Sequence, residues 1–162
     1  MTPLPPNGRV LEPGRGLIIL SCSRRKIVTA APVAALDLYQ GGCIPSAREH
    51  FAADAALRAR IRIISGAHGL LRPETLISTY DHRLTTRAEA TRLHEQTVAA
   101  QLDAELAETP SPRHVLILVE PLYLHALQRV FDHTARFRQI TIIPDPSAWH
   151  DGLPHLRDWG WA

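Results

Sequence analysis

Four short apolar runs, each cut off abruptly by polar residues, restrict what this chain can fold into more than any other feature. They occupy residues 17–20 (Leu-Ile-Ile-Leu), 61–64 (Ile-Arg-Ile-Ile), 115–119 (Val-Leu-Ile-Leu-Val) and 140–143 (Ile-Thr-Ile-Ile). Continuous runs rich in β-branched residues predict strands buried in a sheet. The segments between them read largely as helical. Residues 32–59 predict two helices around the Gly41-Gly42 turn, the second opening near Pro45 with Ser46 as its N-cap. In residues 86–108, Ala90, Leu93, Val98, Leu102 and Leu106 recur at helical spacing, and Pro110 and Pro112 close that helix. Residues 122–131 predict a further short helix. Residues 70–84 have no sustained period and contain Pro73, so they predict a long ordered loop.

Strands that alternate with helices predict a mainly parallel sheet, because parallel neighbours need crossover connections. The expected fold is a single α/β domain over residues 17–162, Rossmann-like or flavodoxin-like, with about four core strands and helices on both faces. Residues 1–16, rich in proline and glycine, predict an extended arm ahead of it. A length of 162 residues suits one such domain.

Composition narrows the class. With 45% apolar and 21% charged residues the chain is an ordinary globular one. No apolar stretch approaches the ~20 residues of a membrane helix, and the amino-terminal residues lack a signal-peptide core, so a cytoplasmic protein without a membrane partner is expected. A net charge of +2 leaves nucleic acid open as a partner. Cys22 and Cys43, the only cysteines, read as reduced thiols. The nine histidines show no HxxH or HxxxH pair, so neither a metal nor a cofactor is expected.

In parallel α/β sheets ligands bind beyond the carboxyl ends of the strands, and here each strand ends in residues capable of chemistry. Ser21, Cys22, Ser23, Arg24, Arg25 and Lys26 follow the first strand. Ser65, Gly66, Ala67, His68 and Gly69 follow the second, Glu120 the third and Asp145 the fourth. Of the 18 cationic residues all but Lys26 are arginine. An arginine stays charged at any accessible pH, whereas an amine can lose its proton and act as nucleophile or base. A thiol at Cys22 beside three cations favours nucleophilic or redox chemistry. The 21–26 loop suits a phosphate or carboxylate, although it is not a Walker motif. The three tail tryptophans, Trp149, Trp159 and Trp161, either pin the tail to the core or stack on bases.

The order Cys22-Ser23-x-x-Lys26, Asp37-Leu38-Tyr39, Ser65-Gly66-Ala67-His68-Gly69-Leu70-Leu71-x-Pro73 and Tyr80-Asp81 resembles a bacterial and phage family of uncharacterised domains often labelled YaaA-like. The similarity covers residues 17–84. The Cys-Ser-x-x-Lys element is also similar to the catalytic-domain motif of archaeosine synthase, which modifies a deazaguanine base in transfer RNA; Ile27-Val28 stand where that motif has Pro-Tyr. The resemblance implies a pocket for a nucleobase, nucleotide or modified nucleoside, and the YaaA label implies DNA binding under oxidative stress.

Two functions are therefore expected as alternatives. The first is an enzyme acting on a nucleotide, nucleoside or modified nucleobase by base transfer, amidation or glycosidic-bond chemistry. Cys22 or Lys26 would be its nucleophile, His68 or Asp81 would move protons, and Arg24 and Arg25 would hold an anion. Tyr39 or Tyr80 would stack on the base, with Ser21, Ser23, Ser65, Gly66, Gly69 and Glu120 lining the site. The second is a non-catalytic nucleic-acid-binding protein of the stress response. The sequence leaves the oligomeric state open.

Overall fold

The computed structural model describes residues 10–162. In chain order, β1 (Gly16–Ser21) is followed by β2 (Val33–Ala34), α1 (Ala35–Leu38), α2 (Ile44–His50) and α3 (Ala55–Arg58). Then come β3 (Ile61–Ser65), β4 (Gly69–Leu71) and β5 (Leu76–Ile77). Helix α4 (Arg87–Leu93) runs through a π turn (His94–Val98) into α5 (Ala99–Ala107). The chain ends with β6 (His114–Leu118), α6 (Pro121–Ala126), α7 (Arg129–Asp132), β7 (Gln139–Ile143) and α8 (Trp149–Asp158).

All four expected strands form, in one five-stranded sheet of order β4-β3-β1-β6-β7. β1 pairs in parallel with both β3 and β6, and β7 joins β6 in parallel. β4 is an antiparallel edge strand on β3. The fold is thus a mixed α/β domain with a mainly parallel sheet. From β1 the chain first builds β3 on one side and then crosses to build β6 on the other, so strand order reverses between β1 and β6.

Register assigns the faces. Arg62, Ile19 and Ile117 are aligned and share one face, as do Leu116 and Ile18 on the other. The first face meets α5 through Arg62, whose Nε donates to Glu105 Oε1 at 2.6 Å and whose Nη2 donates to Oε2 at 3.0 Å. The second meets α8, where Gly152 lies against Leu116 and Leu118. Helices therefore cover both faces.

Arg62 is fully buried between the isoleucines of β3. Its Nη1 also donates to the carbonyls of Ala59 (2.6 Å) and Ile61 (2.9 Å), so each guanidinium nitrogen leaves water with a hydrogen-bond partner.

Several expectations need correction. Ser46 lies inside α2, whose N-cap is Cys43 with Pro45 in the first turn. A proline there gives up an N–H that has no helical partner, so no side-chain cap is needed to start the turn. Residues 70–84 are not a plain loop, because β4 and the short antiparallel β2–β5 ribbon use part of them. The helix expected over 122–131 is two pieces, α6 and α7. Of the arm expected over residues 1–16, residues 1–9 lie outside the described residues. From Leu11 onward it is fixed: Leu11 N–H donates to the Trp159 carbonyl and Trp161 Nε1 donates to the Leu11 carbonyl, both at 2.9 Å. All three tryptophans are buried. No described helix is long and apolar enough to cross a membrane.

Replacing Glu105 with Leu strands the Arg62 charge in the core and is expected to destabilise the fold by about 3–5 kcal/mol. Adding Arg62→Met is expected to restore most of the loss. Urea denaturation of the single and double variants checks this, and a single variant within about 1 kcal/mol of wild type contradicts it.

Candidate functional site

The carboxyl end of β1 is bound to that of β6 by a side chain. Ser21 Oγ accepts the Glu120 N–H at 3.4 Å, across the point where strand order reverses. One residue on, the Cys22 N–H donates to the Ile64 carbonyl at 2.9 Å, which holds the start of the next loop against β3. The Cys22 thiol is buried and donates to Tyr123 Oη at 3.3 Å, and the Leu84 N–H donates to the same oxygen. Arg24 and Arg25 are exposed, and the thiol's hydrogen-bond partner is a phenol rather than a cation.

All three tyrosines of the chain gather around this cysteine. Tyr39, at the end of α1, and Tyr80 have hydroxyls 2.6 Å apart, and the Tyr80 hydroxyl lies 2.7 Å from Ser65 Oγ. Ser65 Oγ also accepts the N–H groups of Ala67 and His68, each at 3.2 Å. The turn that aims these groups depends on glycine. Gly69 has φ +70°, which side chains rarely adopt, and a Cβ on Gly66 would come within 3.1 Å of the Leu84 nitrogen. Burial pushes the Tyr39 phenol up to about 12 and raises Tyr80 and Tyr123 as well. Charge on the Cys22 thiol would push all three the same way.

Lys26 and His68 come together on the Tyr80 ring. Lys26 forms an isolated antiparallel bridge with Tyr39, and its Nζ lies 4.7 Å from the centre of the Tyr80 ring and 5.8 Å from that of Tyr39. The exposed His68 ring meets the Tyr80 ring edge-on, with centroids 5.0 Å apart. Cys22, Lys26, Tyr39, Ser65, Gly66, His68 and Tyr80 thus form one cluster beyond β1 and β3.

The other expected site residues stand apart or serve the framework. Ser23 Oγ donates to the Arg25 carbonyl (2.6 Å) and accepts from the Gly41 N–H (3.1 Å), which fixes the loop. Ser21 is buried in the β1–β6 link, and Gly69 serves the turn. Glu120 is paired with Arg83 at 3.1 Å. Asp81 is exposed, with no hydrogen bond or ion pair to a described residue, and the side chains of Arg24 and Arg25 have none either. Asp145 accepts the Ser147 N–H and caps its own turn. Sequence reasoning missed Tyr123 and Arg83. Tyr123 lies three residues beyond the Glu120 strand end, and that position was its one signal.

The fold and the cluster define an α/β protein with a hydroxyl-rich site at the carboxyl ends of parallel strands. The chain belongs to a family of unknown function (DUF6884), whose model matches residues 17–141 and so includes every member of the cluster. No curated protein matches the chain.

The raised phenols have a thermodynamic consequence. An unfolded chain releases its phenolic protons near the ordinary value of 10.0, before the folded one does. The stability these groups contribute is therefore intact below about pH 10 and is lost as pH rises toward 12. Near-ultraviolet absorbance is expected to report phenolate in urea-unfolded protein at lower pH than in native protein. Coincident titration curves contradict the buried tyrosine cluster.

Proposed function

We propose that the protein is an enzyme that acts on a nucleotide, nucleoside or modified nucleobase at the mouth formed beyond β1 and β3. The observation that carries this reading is the meeting of the sole lysine and the Ser-Gly-Ala-His turn on one tyrosine ring. Base transfer, amidation and glycosidic-bond cleavage each need a nucleophile or a cation, a group that gives and takes protons, and a surface for a flat ring. Lys26 supplies the first, His68 the second, and Tyr80 part of the third. Cys22, hydrogen-bonded and buried, serves better as a wall than as a nucleophile.

The Cys-Ser-x-x-Lys order supports the same reading through its resemblance to the archaeosine synthase motif and to YaaA-like domains. Ile27 and Val28, which stand where the synthase motif has Pro-Tyr, are 37% and 94% exposed. The substrate is accordingly framed as the wider class of nucleobase compounds.

One observation favours a second reading, nucleic-acid binding without catalysis. Arg24 and Arg25 are exposed on the same loop as Val28 and are open to phosphates. The tryptophans do not add to it, because they are packed in the core.

A thermal-shift panel of nucleobases, nucleosides and nucleotides on wild type and Lys26→Ala tests the choice. A ligand at about 100 times its Kd stabilises the folded state by about 2.7 kcal/mol, a rise of several degrees in Tm. At least one member is expected to raise Tm in wild type and less so in the variant. A flat panel, with DNA binding that falls steeply as salt is added, would favour the second reading.

A further inference from the structure

The hydrogen bonds around Tyr80 have a fixed direction. A serine hydroxyl has two acceptor lone pairs and one proton, and backbone N–H groups can only donate. Ser65 Oγ takes two N–H groups, from Ala67 and His68, so its own proton is directed to Tyr80 Oη. The remaining contact, Tyr39 to Tyr80, can run either way. If Tyr80 donated to Tyr39, the Tyr39 proton would be left over on a residue that is 0% exposed. No other hydrogen bond from either phenol to a described residue would relieve it, and an unsatisfied buried donor costs about 1–3 kcal/mol. Tyr39 therefore donates to Tyr80, and Tyr80, the less buried of the two residues, carries the O–H that has no acceptor among the described residues.

Two features suit that O–H to an anion. Two hydrogen bonds into the Tyr80 oxygen orient its proton before any ligand arrives, as in a preorganised donor site. The half-exposed Lys26 ammonium lies 4.7 Å from the ring centre, so positive charge is at hand. The raised phenols remain protonated at neutral pH and stay donors.

We propose that the Tyr80 hydroxyl and the Lys26 ammonium together form a receptor for an anionic oxygen, carried by a carboxylate or a phosphate, with Ser65 and Tyr39 positioning the hydroxyl. This rests on the cluster being a ligand site and not on the ligand being a nucleobase compound.

The test uses the full chain with its tyrosines isotope-labelled at the ring carbon that bears the hydroxyl. The three signals are assigned by single Tyr→Phe variants, and the protein is titrated with benzoate and, separately, with inorganic phosphate. One anion is expected to move the Tyr80 signal while leaving that of Tyr123 in place, and the arm that responds identifies the carrier. Tyr80→Phe and Lys26→Ala are each expected to weaken its binding at least about tenfold. Tyr39→Phe keeps the ring and its packing. It is expected to shift the Tyr80 signal of the free protein and to weaken binding by a smaller factor, which a purely structural role would not do. A Tyr80 signal unmoved by both anions, or Tyr80→Phe binding as tightly as wild type, overturns the receptor.

The nucleobase panel separates the two proposals. Nucleobase compounds that stabilise the protein where neither anion binds leave the pocket standing and overturn the receptor. Anions that bind where no nucleobase compound does support the receptor and remove the nucleobase reading.

Discussion

Strand β1 is hydrogen-bonded in parallel on both sides, to β3 through residues 18–21 and to β6 through residues 16–20. Parallel pairing brings neighbouring carboxyl ends to the same edge of the sheet, so the loops that leave β1, β3 and β6 must share one rim. Ser21 closes that rim by accepting the Glu120 N–H, and Cys22 extends the ladder by donating to Ile64. With β1 at the centre, residues 26, 39, 65, 68, 80 and 123 can reach one another although they are spread over more than half the chain. An edge position for β1 would leave only one of its two neighbours within range.

The frame is held by interactions far from that rim. Arg62 and Glu105 join β3 to α5 in a buried, bidentate pair, and the tryptophan-rich tail packs around Phe51, with Trp161 and Phe51 edge-on at 6.4 Å. A buried pair of this kind adds little over an apolar pair but punishes the loss of either partner, so it constrains how α5 sits. Helix α5 in turn holds the edge strand: Gln101 accepts the Leu70 N–H at 2.7 Å and donates to its carbonyl at 3.2 Å. The Ser65–Gly69 turn is thereby anchored at both ends, by β3 and by β4. A rigid turn is what lets Ser65 direct its proton to Tyr80.

The strands were legible because short β-branched runs carry a strong local signal, and their parallel order followed from the helices between them. The rim was legible in part for the same reason: Lys26, Ser65 and His68 stand next to strand ends in the sequence. Tyr123 was not, since nothing in a helical run from residue 121 tells a buried phenol aimed at Cys22 from a surface one. The meeting of Tyr39 and Tyr80 runs through the single Lys26–Tyr39 bridge and the bonds of Thr79 to Thr29 and Ile27, contacts too isolated to leave a periodic pattern. Polar residues crowd any strand end, and only tertiary contacts show that Ser23 ties its own loop and that Glu120 pairs with Arg83. The buried Arg62 could be read as part of a strand but not as paired, because its partner lies 43 residues away.

Lys26 and His68 meet on the Tyr80 ring, and through-space proton contacts in solution measure that meeting. Cross-peaks are expected from the Tyr80 ring both to the Lys26 side-chain methylenes and to the His68 ring. A Tyr80 ring in contact with neither, in folded protein whose β1–β3 and β1–β6 ladders give their expected strand contacts, would contradict it.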